Sequence, residues 1–224
     1  MSLLIAIEGI DGSGKGTQAS RLVERLGSEG VSCSLLSFPR YSETLFGASI
    51  GKFLNGDFGP LEAVAPQLAA TLYAGDRFES RGVLLEALAQ QQVVVCDRYV
   101  PSNLAHQGSR VEDQRQAELI EWIERIEYDV FQLPRPDTVL WLDLPPQLSQ
   151  KLIRLKAPRD YTDRAVDLQE ADIAYQIGVQ QAYGSLASSR SHWTRIDELD
   201  PVTQELRTID QIAQDVWDTV AQQI

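Results

Sequence analysis

The chain has 224 residues, of which 43% are hydrophobic, and this size and composition predict one globular domain over residues 1–224. The net charge of −12 gives a surface that repels nucleic acids and anionic membranes, so neither is expected as a partner. No apolar run approaches the roughly 20 residues that a membrane-spanning helix needs.

Apolar, β-branched runs alternate with helix-length segments along the chain. Strands are predicted at 3–7, 32–38, 93–96, 138–144 and 192–196, and helices over 15–27, 64–90, 113–129, 146–155, 167–187 and 202–223. This alternation is typical of βαβ units and predicts an α/β fold, with a parallel sheet covered by helices on both faces. Two stretches, 37–47 and 154–164, resist regular assignment, and we interpret them as functional loops.

The first strand runs into the segment Gly9-Ile-Asp-Gly-Ser-Gly-Lys15, which has the spacing G-x-x-x-x-G-K of a phosphate-binding loop. In such a loop, backbone N–H groups and the helix N-terminus surround the phosphates, and the lysine reaches the β- and γ-phosphates. The predicted ATP-binding residues of the loop are Gly9, Gly12, Ser13, Gly14, Lys15, Gly16 and Thr17. A glycine turn with an incidental surface lysine is the alternative.

The position after Lys15 usually carries a Ser or Thr whose hydroxyl binds Mg²⁺, but here it is Gly16, followed by Thr17. Either the metal loses a direct ligand or Thr17 serves through another geometry.

The third apolar run ends in Asp97-Arg98. A carboxylate at the end of a buried strand beside a phosphate loop acts on Mg²⁺ or on its water shell. Arg98 follows it, and a planar guanidinium can span donor and acceptor phosphates. In isolation, the pair could equally be a surface ion pair at a strand end.

Four blocks occur in order along the chain: EGIDGSGKGTQ, FPRY, LYAGDRFE and DRYVPSNLAHQG. With the supporting segment LPRPDTVLWLDLPP, they make the chain resemble the thymidylate (dTMP) kinases over about residues 1–187. The resemblance implies a P-loop NTPase-type three-layer α/β/α fold, with a five-stranded parallel sheet in the order 2-3-1-4-5 and a lid near 154–165. It also implies phosphorylation of dTMP to dTDP with ATP and Mg²⁺, and a homodimer formed through helices near 43–90.

In this resemblance, the dTMP-binding residues are Asp11, Phe38, Arg40, Tyr41, Tyr73, Arg77, Arg98, Ser102, Asn103, His106 and Gln107. Asp11 would face the acceptor sugar and phosphate, or help to hold Mg²⁺. Arg40 would bind the acceptor phosphate, and Tyr73 would stack on thymine unless it is an ordinary core aromatic. His106 stands where the family usually has Tyr or Phe, which leaves discrimination against ribonucleotides open.

The predicted lid is basic, with Arg154, Lys156, Arg159 and Arg164. Some family members carry an arginine in the phosphate loop where this chain has Gly12, and members without it have a basic lid instead. Arg159 is therefore predicted to be catalytic and Arg154 to contact ATP, although a solvated charge run is the alternative. By the same resemblance, Asp97, Thr17, Asp11 and Glu170 are the candidate magnesium residues, some of them acting through water.

The sequence leaves two other functions open. The segment GSGKGT is also similar to adenylate kinases, so another nucleoside monophosphate kinase acting on dUMP, UMP or AMP is a rival. A non-catalytic nucleotide-binding switch is a rival of another class. Cys33 and Cys96 each lie in a strand-like run, as expected of buried thiols in a reducing compartment, which predicts a cytoplasmic protein.

Overall fold

The structure is a computed structural model that describes residues 2–153, 169 and 172–224. The strands are β1 (Leu3–Glu8), β2 (Cys33–Ser37), β3 (Val93–Asp97), β4 (Thr138–Asp143) and β5 (Trp193–Asp197). The helices are α1 (Lys15–Ser28), α2 (Leu45–Leu54), α3 (Pro66–Glu79), α4 (Arg81–Gln90), α5 (Val100–Gly108), α6 (Asp113–Glu124), α7 (Pro146–Ile153), α8 (Ile173–Ser189) and α9 (Ile209–Val220). A π-helical turn (Arg125–Val130) continues α6.

The five strands form one parallel sheet in the order β2-β3-β1-β4-β5, which confirms the predicted fold. Ile7 of β1 stands opposite Asp97 on one side and Leu140 on the other. Because all strands are parallel, their carboxyl ends meet at one edge of the sheet, where ligands bind in open α/β folds. The phosphate-loop segment and Asp97 both follow strands at this edge.

Alternate residues of the central strands enter two separate cores. Leu4 and Ala6 belong to the core under α5 and α8, whereas Ile5 and Ile7 belong to the core under α1 and α9. A strand covered on both faces reads as a continuous apolar run, which is why β1, β3 and β4 were visible in the sequence.

The helical predictions needed several corrections. The single helix expected over 64–90 breaks at the buried Ser80 into α3 and α4. The last helix begins at Ile209 rather than 202, because Thr208 and Gln211 form a capping box there. Two helices, α2 and α5, were not predicted.

The cysteine prediction was half right. Both thiols are unpaired, but only Cys96 is fully buried, while Cys33 on the edge strand β2 is half-buried.

Candidate active site

The loop between β1 and α1 has a backbone that favours glycine. Gly9 has φ of 149°, and a Cβ atom there would lie 2.6 Å from the carbonyl oxygen of Leu142. Gly14, with φ of 71°, precedes α1 without any side-chain cap. Lys15 is buried, and its Nζ donates to the carbonyl of Ile10 at 2.6 Å. The uncapped start of α1 is therefore suited to a phosphate.

Asp97 lies over the first turn of α1. A Cβ atom on Gly16 would stand 3.0 Å from Asp97 Oδ2, closer than an ordinary van der Waals contact. Gly16 and Thr17 are both exposed at this point, whereas Gly12 and Ser13 are buried in the loop. A side chain at position 16 would compete with the carboxylate for space, which gives a physical reason for the glycine.

The described residues hold no group of three or more His, Cys, Asp or Glu side chains that could bind a metal ion. Asp97 stands beside the loop, but Asp11 is paired with Arg98. A magnesium ion at Asp97 would therefore take further oxygen ligands from phosphates and water, as Mg²⁺ commonly does.

Arg98 connects the loop to the rest of the site. Its φ of 65° is uncommon for a residue other than glycine, and such strain clusters at functional sites. The guanidinium contacts the carboxylate of Asp11 and donates to Ser102 Oγ at 3.2 Å and to His106 Nε2 at 3.3 Å. One cation is thus held by groups from the phosphate-loop segment and from α5.

A cavity adjoins this arginine. Its lining residues are Asp11, Phe38, Pro39, Tyr41, Leu54, Tyr73, Arg77, Arg98, Ser102, Asn103, His106, Gln107 and Gln169. The cavity therefore brings together all the residues predicted to bind dTMP except Arg40. Phe38 is buried and Tyr73 half-buried, so apolar ring surface and polar groups line the same space.

Arg40 lies beside a neighbouring hollow that shares Pro39 and Tyr41 with the cavity. Its backbone N–H donates to Asp76 Oδ2 at 3.1 Å. Its guanidinium is engaged by Ser80 Oγ at 3.3 Å and by the carboxylate of Glu43. An acceptor phosphate would have to compete with Glu43 for this arginine.

A buried ion pair lies against the cavity wall. Glu127 of the π-helical turn accepts from Arg77 Nε at 2.5 Å and from Arg77 Nη2 at 2.6 Å. Its Oε1 also accepts from Asn103 Nδ2 at 2.8 Å, and the carbonyl of Ala70 accepts from the same nitrogen at 3.0 Å. Asn103 Oδ1 is buried and has no hydrogen-bond partner among the described residues.

In Gln107, by contrast, the amide oxygen is paired and the amide nitrogen is not. Its Oε1 accepts from Arg110 Nη1 at 2.8 Å, and its buried Nε2 has no partner in the described part of the chain. The two cavity amides thus leave one acceptor and one donor unsatisfied, which is costly for buried polar atoms unless a ligand pairs with them.

His106 is buried between Arg98 and α8. Its Nε2 faces the arginine, which can only donate, so Nε2 accepts and Nδ1 carries the proton to Tyr175 OH at 2.8 Å. Burial, helped by Arg98 and opposed by Asp11, lowers the pKa of His106 to about 3. The imidazole is therefore neutral near pH 7.

The sequence model of the thymidylate kinase family matches residues 7–209. The chain belongs to the thymidylate kinase family. It is 34% identical over 186 residues to the thymidylate kinase of Mycobacterium tuberculosis, a match that covers 83% of this chain and 86% of that one. With the Synechococcus sp. thymidylate kinase, it shares 35% identity over 189 residues, or 84% and 82% of the two chains.

A solved thymidylate kinase from Candida albicans has the same fold. The two structures superpose with a TM-score of 0.74 at 24% identity, over 99% of this chain and 92% of that one. Among the described residues, no helix has the length and apolar character that would let it cross a membrane.

Glu8 was not among the predicted site residues, although it closes the first apolar run. The side chain is fully buried and accepts from Tyr99 N at 2.7 Å, Ser102 Oγ at 2.5 Å and Tyr183 OH at 2.9 Å. Burial raises the pKa of Glu8 despite these bonds. A charged residue closing the strand LLIAIE was the available signal.

Site residues on helix α8 and just before it were also not predicted. Gln176 Nε2 donates to the carbonyl of Gln169 at 2.8 Å and approaches Asp11 Oδ2 at 3.4 Å. Helix α8 therefore contacts both the phosphate loop and the cavity wall. The lid residues Arg154, Lys156, Arg159 and Arg164, with Glu170, lie outside the described residues, so their roles remain predictions.

A second buried carboxyl, Glu198, follows β5 near the phosphate loop. Burial raises its pKa to about 8, against the opposing effect of Lys15 and with help from Asp143. Its Oε1 has no partner among the described residues. A carboxyl close to Lys15 is therefore mostly protonated at neutral pH.

Proposed function

We propose that the chain transfers the γ-phosphoryl group of ATP to the phosphate of dTMP, giving ADP and dTDP for dTTP synthesis. Membership of the thymidylate kinase family supports this activity. So does the position of the cavity, which shares Asp11 and Arg98 with the phosphate-loop region.

Two amide atoms of the cavity residues that lack hydrogen-bond partners among the described residues support this activity most directly. Asn103 Oδ1 needs a donor, and Gln107 Nε2 needs an acceptor. Thymine offers both kinds of group, with N–H at N3 and carbonyl oxygens at C2 and C4. Phe38 and Tyr73 line the same cavity with aromatic surface, which favours a planar base.

The proposed reaction needs alignment more than acid–base chemistry. An oxygen of the dTMP phosphate, already anionic near neutral pH, attacks the γ-phosphorus, and the bond from that phosphorus to the β-phosphate oxygen breaks. Lys15 and Arg98 neutralise the charge on the phosphates, while the cavity holds the acceptor in line. Arg159 of the lid is proposed to add positive charge, with Arg154 contacting ATP.

Magnesium fits the donor set at the end of β3. Asp97 offers a hard carboxylate oxygen, and the absence of a side chain on Gly16 leaves room beside it. We propose that Asp97 holds the ion directly or through water, with Thr17 next to it on the exposed first turn of α1. When bound, the ion neutralises the β- and γ-phosphates.

We further propose a cytoplasmic homodimer. The helical region predicted for the interface exposes large apolar side chains, among them Leu45 at 80% and Leu68 at 65% of their surface. Unpaired Cys33 and Cys96 are consistent with a reducing compartment. Light scattering checks the dimer, since a particle of about the 25.0 kDa chain mass would contradict it.

A coupled ADP-release assay across dTMP, dUMP, UMP, dCMP and AMP tests the activity. The proposal predicts the highest kcat/KM with dTMP. A higher value with AMP or UMP would favour another nucleoside monophosphate kinase. Absence of stimulation by every monophosphate would favour a non-catalytic nucleotide-binding switch.

A further inference from the structure

Glu127 does more than neutralise Arg77. Its carboxylate is fully buried, and Oε1 accepts both from Arg77 Nη2 at 2.6 Å and from Asn103 Nδ2 at 2.8 Å. A buried carboxylate is an acceptor only, so it dictates which end of a neighbouring amide faces it.

The amide of Asn103 is consequently fixed in one orientation. Both N–H groups are taken, one by Glu127 and one by the carbonyl of Ala70 at 3.0 Å. A flipped amide would place Oδ1 against two oxygen acceptors, and the buried anion makes that arrangement the more costly. The unpartnered Oδ1 is therefore the end of the amide left for a ligand in the cavity.

Arg110 fixes the second amide, that of Gln107, in the opposite orientation. Its guanidinium can only donate, and Nη1 bonds to Gln107 Oε1 at 2.8 Å. The same arginine is anchored by the carbonyl oxygens of Leu61 and Val64. Gln107 is thereby left with Nε2, the donor that lacks a partner among the described residues.

We propose that Glu127 and Arg110 are positioning residues. They determine which atom of each amide, oxygen or nitrogen, is left for the ligand, and thereby the class of base that is accepted. The inference rests on the proposed function and names its selectivity: pyrimidines with N–H at N3, such as thymine and uracil, are accepted over cytosine. Cytosine has no proton on N3, so the lone pair of that nitrogen would face the lone pairs of Asn103 Oδ1, and the two acceptors would repel each other. Neither positioning residue needs to touch the substrate.

The test compares kcat/KM for dTMP and dCMP in Glu127→Gln and Arg110→Gln. A glutamine at either position can present oxygen or nitrogen, so the neighbouring amide is released to rotate. The ratio of dTMP to dCMP is expected to fall at least ~10-fold in each variant, since an unpaired buried polar group is the source of the discrimination. Loss of fold alone would lower both activities together.

Glu124→Gln is the matched control. Glu124 lies three positions before Glu127, forms an ion pair with Arg190 at 3.0 Å and is not part of the cavity. This variant is expected to keep the wild-type ratio. If Glu127→Gln does not fold, Arg110→Gln, on a half-buried residue, decides alone.

Calorimetric binding of dTMP and dCMP to the same proteins separates this inference from the proposed function, because it needs no turnover. A wild-type protein that has no kinase activity but binds dTMP selectively would contradict the proposed function and support the fixed orientation of the two amides. Wild-type ratios retained in both folded variants, in turnover and in binding, would overturn it.

Discussion

Replacing Gly16 with alanine tests whether Asp97 depends on the open space above α1. The new Cβ would lie 3.0 Å from Asp97 Oδ2, whereas ordinary contact begins near 3.4 Å, so the carboxylate must move by about 0.4 Å (3.4 − 3.0). A misplacement of ~1 Å can cost ~10²-fold in rate, so a shift of this size is expected to lower kcat about 5- to 10-fold. Stability should hold or rise, because alanine favours a helix over glycine by up to about 1 kcal/mol.

The assay is ADP release at saturating nucleotides over a magnesium titration, with thermal unfolding in parallel. Gly27→Ala is the control: it lies in the same helix, and a Cβ there meets no atom within 4 Å. It should gain similar stability and keep full activity. Wild-type kcat and an unchanged magnesium requirement in Gly16→Ala would refute the role given to this spacing.

Three further predictions concern charge at the site. Lys15→Ala and Arg98→Ala should each lower kcat by at least ~10³-fold, comparable to the loss of an arginine finger, and near-normal turnover would contradict their roles. The pKa of His106 is about 3 in the fold against 6.5 ordinarily, so the stability this residue contributes is present above pH 6.5 and lost as pH falls through 3. In His106→Gln, the loss of stability that His106 causes on acidification should be absent. Acid-unfolding profiles that superimpose for this variant and the wild type would contradict the prediction. The pKa of Glu198 is about 8 against 4.5 ordinarily, so stability falls as pH rises from 4.5 through 8, and Glu198→Gln should flatten urea midpoints over that window.

Local patterns and the family resemblance predicted much of this molecule. The five strands lie where the apolar runs lie, because burial on both faces leaves little choice of residue. The glycine spacing predicted the loop between β1 and α1, and every residue that the motif blocks assigned to dTMP except Arg40 lines the cavity. That arginine is adjacent in sequence to the cavity residues Pro39 and Tyr41, yet pairs with Glu43.

What the sequence did not reveal is the support behind those side chains. Glu127 contacts Arg77 across 50 positions, and Glu8 contacts Ser102 across 94. Such pairings depend on the fold rather than on spacing, and the π-helical turn that carries Glu127 has no recognised sequence signal. The same holds for His106, whose neutral state follows from its burial and from the neighbouring Arg98.

A crystal structure with dTMP and a non-hydrolysable ATP analogue would show directly whether the base and the phosphates bind as proposed. Thymine is expected in the cavity, with N3 within hydrogen-bond distance of Asn103 Oδ1 and the γ-phosphate between Lys15 and Arg98. A base bound outside this cavity, or N3 turned toward Asn103 Nδ2, would contradict this prediction.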